Sequence, residues 1–373
     1  MKAVVLVGGS GTRLRPLTIQ TPKPMLPVVN RPFLEHVIDH LKAHGFDDIV
    51  LLVCHLHQVI QDHFGDGQAH GVRLTYVVEE QGPLGTAGAV KNAAHLLTET
   101  FLVRNGDTLT DLNLRAMVAF HQEKGARATI SLAPVDDPTA YGLVQLADGR
   151  RVERFVEKPS WDEVTTNLIN AGTYVLEPGV LRYVPPETRF LFERGLFPML
   201  LQVGNAVYGY PSNAYWLDIG TPEDYLQAQR DILSGQIEVG IPGRRVGERG
   251  DIWLGQGTQL DPTALIRGPV VIGRGCVIGP QVRINGPVAV GDGCVIGEGT
   301  LIENAVLWQH VRVARQVVLK DCVVANDCTI GDNVWIVDRC LVGAGCTIGE
   351  GNKLERGLQL YPGKTLEDNA IRF

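Results

Sequence analysis

Hydrophobic positions in the first 230 or so residues follow two alternating patterns. Short apolar runs predict buried strands, and amphipathic stretches between them predict helices. The predicted strands are Ala3–Val7, Ile49–Val53, Leu74–Val78, Phe101–Arg104, Thr129–Ala133, Leu168–Val175 and Val207–Tyr210, and the predicted helices are Phe33–His44, Val59–Phe64, Ala87–Leu97, Leu114–Glu123 and Pro222–Leu233. This alternation predicts an α/β domain with a Rossmann-like, mainly parallel sheet, covered by helices on both faces. Ligands of such sheets bind beyond the carboxyl ends of the strands.

The C-terminal part has a different period, because an aliphatic residue recurs every six positions. One series runs Leu254, Leu260, Ile266, Ile272, Ile278, Ile284, Val290, Ile296 and Ile302, and a second runs Val318, Val324, Ile330, Ile336, Val342, Ile348, Leu354 and Leu360. A six-residue period with frequent glycine predicts a left-handed parallel β-helix of hexapeptide repeats, with three hexapeptides per coil. The two series are out of phase, and we expect a loop or a kinked coil around Trp308–Val311.

Length and composition place the boundary between these two regions. A chain of 373 residues favours two domains. We predict an α/β domain over residues 1–233, a linker rich in glycine and arginine over 234–253, and the β-helix over 254–373.

The β-helix period also accounts for six of the seven cysteines. Each lies four residues after an aliphatic position of the two series: Cys276, Cys294, Cys322, Cys328, Cys340 and Cys346. Threonine, alanine or valine occupies this position in other repeats, which indicates a small buried residue. No Cys-x-x-Cys pair occurs, so packing explains these thiols better than zinc or disulfides.

Charge and hydropathy exclude several classes of protein. The net charge of −7 gives no sign of a nucleic-acid partner. Apolar runs such as Ile49–Cys54 are too short to cross a membrane, and the apolar run at the N-terminus is too short for a signal peptide. Reduced thiols agree with a cytoplasmic protein.

Residues 7–27 carry the most informative chemistry of the chain. Three glycines follow the first predicted strand, and the cations Arg13 and Lys23 come next, with Lys23 between two prolines. Glycines allow the backbone N–H groups to approach a ligand, and two cations suit a polyphosphate. The segment lacks the Gly-Lys-Ser/Thr of a P-loop, and Leu14 stands where a dinucleotide fingerprint needs its third glycine. A glycine-rich turn without a ligand is the structural alternative.

The same segment resembles the signature of the nucleotidyltransferases that make nucleotide sugars, GGxGTRLxPLT followed by PKP. The resemblance implies that a sugar 1-phosphate attacks the α-phosphorus of a nucleoside triphosphate (NTP) and releases pyrophosphate. It also implies a nucleotide-binding set: Val7, Gly8, Gly9, Ser10, Gly11, Thr12, Arg13, Lys23, Gln81, Pro83, Gly85, Thr86, Gly106 and Asp107.

The resemblance assigns the second substrate and the metal to other segments. Sugar-phosphate binding falls to Gly142, Glu157, Lys158, Asn170, Gly172 and Asp218. Asp107 and Asp218 match the family positions that hold Mg²⁺, whose preference for hard oxygen ligands they satisfy. The residues expected to carry catalysis are Arg13, Lys23, Asp107, Lys158 and Asp218. Without the resemblance, each aspartate could equally be a turn or cap residue, and Glu157 with Lys158 an exposed ion pair.

The substrates and partners follow from the same resemblance. Leu-Val-Gly-Gly, the Pro-Leu-Gly-Thr-Ala-Gly loop and the added β-helix favour GTP and mannose 1-phosphate. Thymidylyl or uridylyl transfer to glucose 1-phosphate is the alternative, and so is a non-catalytic regulatory paralogue.

An acyltransferase site would need a histidine, and His310 is the one histidine after residue 121. We also expect a homo-oligomer formed through the β-helix, since its faces and open ends need cover. The sequence leaves open the number of subunits and any effector.

Overall fold

The computed structural model describes residues 1–9, 11–80, 82–247 and 250–372. Its residues form two compact units: residues 1–9 with 37–216, and residues 10–36 with 217–373. Unit one contains the α/β sheet, and unit two contains the residue 10–36 segment together with the β-helix. The domain boundaries placed at residues 233 and 254 stay a prediction.

All five predicted α-helices are present, four of them within two residues of their predicted bounds; the one predicted over Ala87–Leu97 spans Gly85–Asn92, and Phe197–Gln202 was not predicted. The helices are α1 (Phe33–Ala43), α2 (His57–Phe64), α3 (Gly85–Asn92), α4 (Leu114–Glu123), α5 (Phe197–Gln202) and α6 (Pro222–Leu233). Helix α6 starts at a capping box, in which Thr221 and Asp224 satisfy each other's backbone N–H groups. None of the described helices combines the length and apolar character that crossing a bilayer requires.

Unit one is built on a mixed sheet. Its strands are β1 (Ala3–Leu6), β2 (Asp48–Val53), β3 (Arg73–Val78), β4 (Phe101–Asn105), β5 (Ala128–Pro134), β6 (Gly142–Leu146), β7 (Val152–Glu157), β8 (Leu168–Leu176) and β9 (Val207–Pro211). Strands β4, β1, β2 and β3 are parallel neighbours in that order. Strand β8 pairs antiparallel with β4, β5 and β6, and β6 pairs antiparallel with β7. The β6–β7 connection is too short for a parallel crossover, which explains why these two strands are antiparallel.

Both faces of this sheet are buried. One face packs on α3 and α5 through residues such as Val90 and Phe197. The other face meets α4, where His121 Nδ1 lies 2.8 Å from Thr129 Oγ1. Because the central strands such as β1 and β2 are covered on both faces, they are apolar on both sides, which is why they appeared in the sequence as continuous runs.

Unit two contains a parallel β-helix with three sheets. The first sheet comprises Arg244–Val246, Ile252–Leu254, Val270–Ile272, Val288–Val290, Val306–Leu307, Val323–Val324, Leu341–Val342 and Gln359–Leu360. The second comprises Gln259–Leu260, Val277–Ile278, Val295–Ile296, Arg312–Val313, Thr329–Ile330, Thr347–Ile348 and Thr365–Leu366. The third comprises Leu265–Arg267, Arg283–Asn285, Leu301–Glu303, Val318–Lys320, Trp335–Ile336 and Lys353–Leu354. Strand Arg244–Val246, inside the predicted linker, pairs antiparallel with its neighbour, and the others are parallel.

The predicted break around Trp308–Val311 is wrong. The coils on both sides of it pair regularly, and the register instead shortens by one residue twice. The shortened turns contain Asn304 and Asp321, which have positive φ angles and hydrogen-bond to each other. The inward residue after Val313 is therefore Leu319, which is fully buried, and not Val318. Two separate deletions had looked like one phase shift because Val318, next to the inward Leu319, is also aliphatic.

The six β-helix cysteines are buried free thiols, as predicted. The structure adds a reason for their type. Cys276 Sγ donates to the carbonyl oxygen of Gly291 at 3.1 Å, and Cys294 Sγ donates to that of Trp308 at 3.0 Å. Thr300 makes the same bond to Ala314 at 3.1 Å. This position therefore takes a small side chain, and where that side chain is cysteine or threonine it can also donate to the next coil.

His40 is a neutral, largely buried imidazole behind strand β4. Its Nδ1 accepts a hydrogen bond from Arg104 Nη1 at 2.5 Å, because an arginine can only donate, and Nε2–H donates to Leu112 at 3.0 Å. Burial first, and then the charge of Arg104, lower the pKa of His40 from 6.5 to about 2.

This arrangement predicts a loss of stability in mild acid. Between pH 6.5 and 2 the unfolded chain binds a proton that folded His40 rejects, so stability falls as pH drops below 6.5. His40 should account for about 2 kcal/mol of the loss between pH 7 and 5. Urea unfolding at both pH values should show a smaller loss for His40→Gln, which keeps an acceptor and a donor. Equal losses in the two proteins would contradict this role of His40.

Candidate active site

The signature loop in unit two folds around Gly11. This residue has φ of +58° and precedes the 3-10 helix Thr12–Leu14. A Cβ on Gly11 would lie 2.9 Å from Thr18 Cγ2 and 3.2 Å from Lys23 Cβ, so the position accepts only glycine on two grounds. Thr18 Oγ1 donates to the Gly11 carbonyl at 2.7 Å, and buried Leu14 anchors the turn. Thr12 and Arg13 are left exposed.

Three predicted catalytic residues of unit two converge. Lys23 Nζ lies 3.8 Å from Asp218 Oδ1, with both side chains largely buried. The Arg13 guanidinium lies against Gly220, two residues after Asp218. A Cβ on Gly220 would lie 2.8 Å from Arg13 Nη2, so the contact depends on glycine. The structure thus places two cations and one carboxylate from distant parts of the sequence together, as a polyphosphate site requires.

The contact between Gly220 and Arg13 makes a test of this geometry. Gly220→Ala should displace the guanidinium and lower kcat about tenfold, because a misplaced charged group loses much of its stabilisation of the transition state. Thermal unfolding should hardly change, since the far end of an exposed side chain can move without cost to the fold.

Gly179→Ala is the control, because a Cβ on Gly179 would meet nothing within 4 Å. A Gly220→Ala enzyme with the kcat of the control would show that Arg13 does not depend on this contact.

Unit one supplies the beginning of the loop and the turn before Asp107. Val7 N donates to Leu52 O at 3.0 Å, which continues the β1–β2 ladder to the edge of the sheet. Gly8 lies near Cys54 and Glu79, and Gly9 has open space beside it. Gly106 N donates to Leu6 O at 2.9 Å. Asp107 therefore follows a strand end, as predicted from the sequence.

The predicted base-binding loop is fixed by hydrogen bonds within unit one. Glu79 Oε2 accepts from Leu84 N at 2.6 Å, and burial raises the pKa of Glu79. Thr86 Oγ1 donates to Glu193 Oε2 at 3.2 Å and accepts from Phe192 N at 2.9 Å. Gly85 opens α3 beside the Phe190 carbonyl, and Pro83 is exposed. The hydroxyl of Thr86 therefore has a structural role in this state.

Two predicted members of the nucleotide-binding set, Ser10 and Gln81, lie outside the described residues.

The predicted sugar-phosphate residues occupy two neighbouring pieces of the sheet. Gly142 pairs with Glu157 across β6 and β7, and a Cβ on Gly142 would lie 3.1 Å from Glu157 Oε2. Lys158 follows directly, exposed, and its N–H donates to Tyr141 O at 2.9 Å. The second piece is an irregularity in β8, where Asn170 Oδ1 accepts from Gly172 N at 3.0 Å.

Asn170 belongs to a polar network that sequence analysis missed. Its Nδ2 donates to Tyr174 Oη at 2.9 Å. Burial raises the pKa of Tyr174, and also that of Glu193, on which the nearby charge of Glu157 acts in the same direction. Asn170 therefore has a fixed orientation, and two acidic side chains lie close to each other near it.

Glu79, Tyr174 and Glu193 are the residues that sequence analysis missed. One signal existed for Glu193, because it is a charge within the apolar stretch Phe190–Phe197. A charge at such a place is retained only where it has partners. Glu79 is followed by two further polar residues, and Tyr174 lies inside a buried strand. Neither residue therefore stood out in the sequence.

Comparison with known proteins agrees with this geometry. The nucleotidyl transferase family model matches residues 2–235. The chain belongs to the nucleotidyl transferase family. The model of the EIF2B subunit epsilon LbH domain, a left-handed β-helix, matches residues 249–354. The chain is thus an enzyme of this family with a C-terminal left-handed β-helix.

Several relatives of this nucleotidyltransferase carry specific names. It is 41% identical over 266 residues to a mannose-1-phosphate guanylyltransferase of Mycobacterium tuberculosis, covering 71% of this chain and 72% of the relative. It is 39% identical over 260 residues to a UTP–glucose-1-phosphate uridylyltransferase of Synechocystis, covering 66% and 67%. It is 35% identical to the catalytic subunit beta of the mannose-1-phosphate guanylyltransferase of Danio rerio, covering 71% of this chain and 73% of the relative.

Solved structures match about three fifths of the chain. A putative glucose-1-phosphate thymidylyltransferase of Bacillus anthracis has a TM-score of 0.57 at 27% identity, covering 64% of this chain and 97% of that one. HddC of Yersinia pseudotuberculosis, in complex with GMP-PN, has a TM-score of 0.53 at 31% identity, covering 61% and 97%.

Proposed function

We propose that this enzyme transfers a nucleotidyl group from an NTP to a sugar 1-phosphate, forming a nucleoside diphosphate sugar and pyrophosphate. The observation that carries the proposal is the convergence of Arg13, Lys23 and Asp218 in unit two. Unit one adds a carboxylate and an ammonium group, Glu157 and Lys158, at the end of β7, which β6 separates from the strand that carries Asn170. The first set has the chemistry for a triphosphate, and the second has the chemistry for a phosphorylated sugar.

The reaction needs positioning more than proton transfer. A sugar phosphate is mostly dianionic at neutral pH, since its second pKa is about 6. Its oxygen can attack the α-phosphorus without a general base, and pyrophosphate departs as the new P–O bond forms. Arg13 and Lys23 would balance the charge on the transferred and departing phosphates, and Lys158 would hold the nucleophile in line.

The fixed side chains of unit one would orient the sugar. Asn170 is held by Tyr174 and by the Gly172 backbone, so its amide edge is set before substrate arrives. Glu157 adds a carboxylate, which accepts hydrogen bonds from sugar hydroxyls. Such preorganisation lowers the entropic cost of binding the sugar in a reactive position.

Mg²⁺ is part of the proposal, with Asp107 and Asp218 as its ligands. The donor set fits this ion, because carboxylate oxygens are the hard ligands that Mg²⁺ prefers. Near Asp107, the buried Asn105 Oδ1 has no hydrogen-bond partner, which suits a segment that meets a polar ligand. When bound, the ion would supply positive charge to triphosphate oxygens. The protein's own part is to provide the two carboxylates.

We propose GTP and mannose 1-phosphate as the substrates. The relatives named mannose-1-phosphate guanylyltransferase support this choice. The Synechocystis and Bacillus relatives keep UTP or TTP with glucose 1-phosphate as the second candidate.

An assay of pyrophosphate release distinguishes these two candidate substrate pairs. Purified enzyme with Mg²⁺ should be assayed with four NTPs against mannose and glucose 1-phosphates, and the product identified by mass spectrometry. We expect the highest kcat/KM for GTP with mannose 1-phosphate. A preference for UTP or TTP with glucose 1-phosphate would select the alternative. No release with any pair, from folded protein, would favour a regulatory paralogue.

We further propose a homo-oligomer and a cytoplasmic location. The third β-helix sheet carries the exposed apolar side chains Leu265 and Trp335, which could be covered by a second copy. Free cysteines suit a reducing compartment. Light scattering at micromolar concentration should give a mass above one chain, and a monomer would contradict the oligomer.

A second activity in the β-helix has little support. His310 is exposed, has φ of +58°, and its ring lies against Gly293 at a turn. An acyltransferase function would be revived only by acetyl-CoA consumption that His310→Ala abolishes.

A further inference from the structure

The loop that carries Lys23 is held from behind by helix α6. The carbonyl oxygen of Pro27 accepts hydrogen bonds from Tyr225 Oη and, at 3.0 Å, from Gln229 Nε2. Val29 N donates to Gln229 Oε1 at 2.7 Å. Two side chains one helical turn apart thus fix the backbone just after the 3-10 helix Lys23–Met25.

Tyr225 is in turn held by the β-helix. Trp308 Nε1 donates to Tyr225 Oη at 3.0 Å, and both side chains are fully buried. Burial raises the pKa of Tyr225, so the hydroxyl keeps its proton and can donate to Pro27 while accepting from Trp308. The chain of bonds runs from a coil of the β-helix to the Lys23 loop.

Trp308 is an exception within the β-helix. The same position, directly after the inward residue of the first sheet, is Gly291 in the preceding coil and Ala325 in the following coil. A coil therefore needs no large residue there. The indole at this position is explained by its hydrogen bond to the Tyr225 hydroxyl, which lies outside the coil.

Asp218, the carboxylate beside Lys23, lies in the turn directly before helix α6. The helix begins at Thr221, and the turn before it is closed by a bond from Gly220 N to Asp218 O at 2.8 Å. Lys23 Nζ lies 3.8 Å from Asp218 Oδ1. Helix α6 therefore supports the loop of Lys23 and directly follows the turn that carries Asp218, and Trp308 ties that helix to the β-helix.

We propose that Trp308 and Tyr225 are positioning residues, through which the β-helix holds Lys23 in place for nucleotidyl transfer. The inference rests on the proposed function for its kinetic consequence. Its structural part, that the Tyr225 hydroxyl restrains Lys23, holds for the protein with or without substrate.

Two substitutions test the kinetic part. Tyr225→Phe and Trp308→Phe should each lower kcat about tenfold, because a displaced Lys23 loses part of its stabilisation of the transition state, with little change in the KM for sugar phosphate. In a Lys23→Ala background, Tyr225→Phe should cause no further loss, because a residue that acts through Lys23 has nothing left to position. Tyr361→Phe and Trp253→Phe are controls in partly exposed side chains, and should keep wild-type kcat.

A second measurement is independent of activity. Lys23 is only 10% exposed, so its acetylation by an N-hydroxysuccinimide ester should be slow. Mass spectrometry should show several-fold faster acetylation of Lys23 in Tyr225→Phe and Trp308→Phe, and no change in the controls.

The two measurements separate the possible failures. Unchanged acetylation in both variants, or losses of Tyr225→Phe and Lys23→Ala that multiply, would overturn the positioning role. A wild-type protein without activity but with the expected acetylation pattern would overturn the proposed function alone. If Tyr225→Phe does not fold, Trp308→Phe carries the test.

Discussion

Replacing Arg13 with alanine should lower kcat by about 100- to 1,000-fold while the KM for the sugar phosphate changes little. A preorganised cation at a developing negative charge acts mainly in the transition state, and removal of one such group costs this much in well-studied enzymes. In this structure the guanidinium is free of the loop's own packing and lies against Gly220, two residues from Asp218. Pyrophosphate release under saturating NTP and Mg²⁺ measures the effect.

Arg15→Ala is the matched control for Arg13. Arg15 is another exposed arginine of the same loop, two residues further along, and no role is assigned to it. It should retain near-normal turnover. An Arg13→Ala enzyme with turnover equal to that of Arg15→Ala would remove Arg13 from the catalytic set.

Replacing Lys158 with alanine should mainly impair the second substrate. Loss of a hydrogen bond to a charged phosphate corresponds to about a 10- to 200-fold lower kcat/KM for the sugar 1-phosphate. The KM for NTP should stay close to normal, because Lys158 follows β7 in unit one and is assigned to the nucleophile. Initial rates with each substrate varied in turn separate the two effects.

Arg154→Ala serves as the control for Lys158. It removes an exposed cation of the same strand, whose partner Glu163 is 3.8 Å away, and should leave both KM values unchanged. A raised KM for NTP in the Lys158→Ala enzyme would instead assign this lysine to the triphosphate.

The candidate site was predictable where its residues adjoin strand ends or belong to one continuous motif. Gly11 and Arg13 stand in an unbroken signature, and Asp107 follows a short apolar run. Tyr174 was not predictable, and Glu193 showed only as a charge in an apolar stretch, because their role comes from a network with Asn170 and Thr86 that the fold brings together. A side chain in a buried strand shows its apolar neighbours in the sequence, but not its hydrogen-bond partner.

Periodicity determined most of the architecture. The helical pattern located α4 and α6 to the residue, and the six-residue spacing identified the β-helix and the buried cysteines. These features depend on local side-chain period and volume, which a sequence displays directly. The signature loop likewise identified the chemistry, because a short run of residues carries both glycines and cations.

Tertiary structure alone decided the register of the β-helix and the purpose of Trp308. The two one-residue deletions are visible only in strand pairing, and Trp308 acquires its meaning from Tyr225, 83 residues earlier. Val29 and Gln229 are 200 residues apart in the chain and share a hydrogen bond. Such bonds depend on where the folded backbone brings distant groups, and no local pattern of hydrophobic and polar residues specifies that.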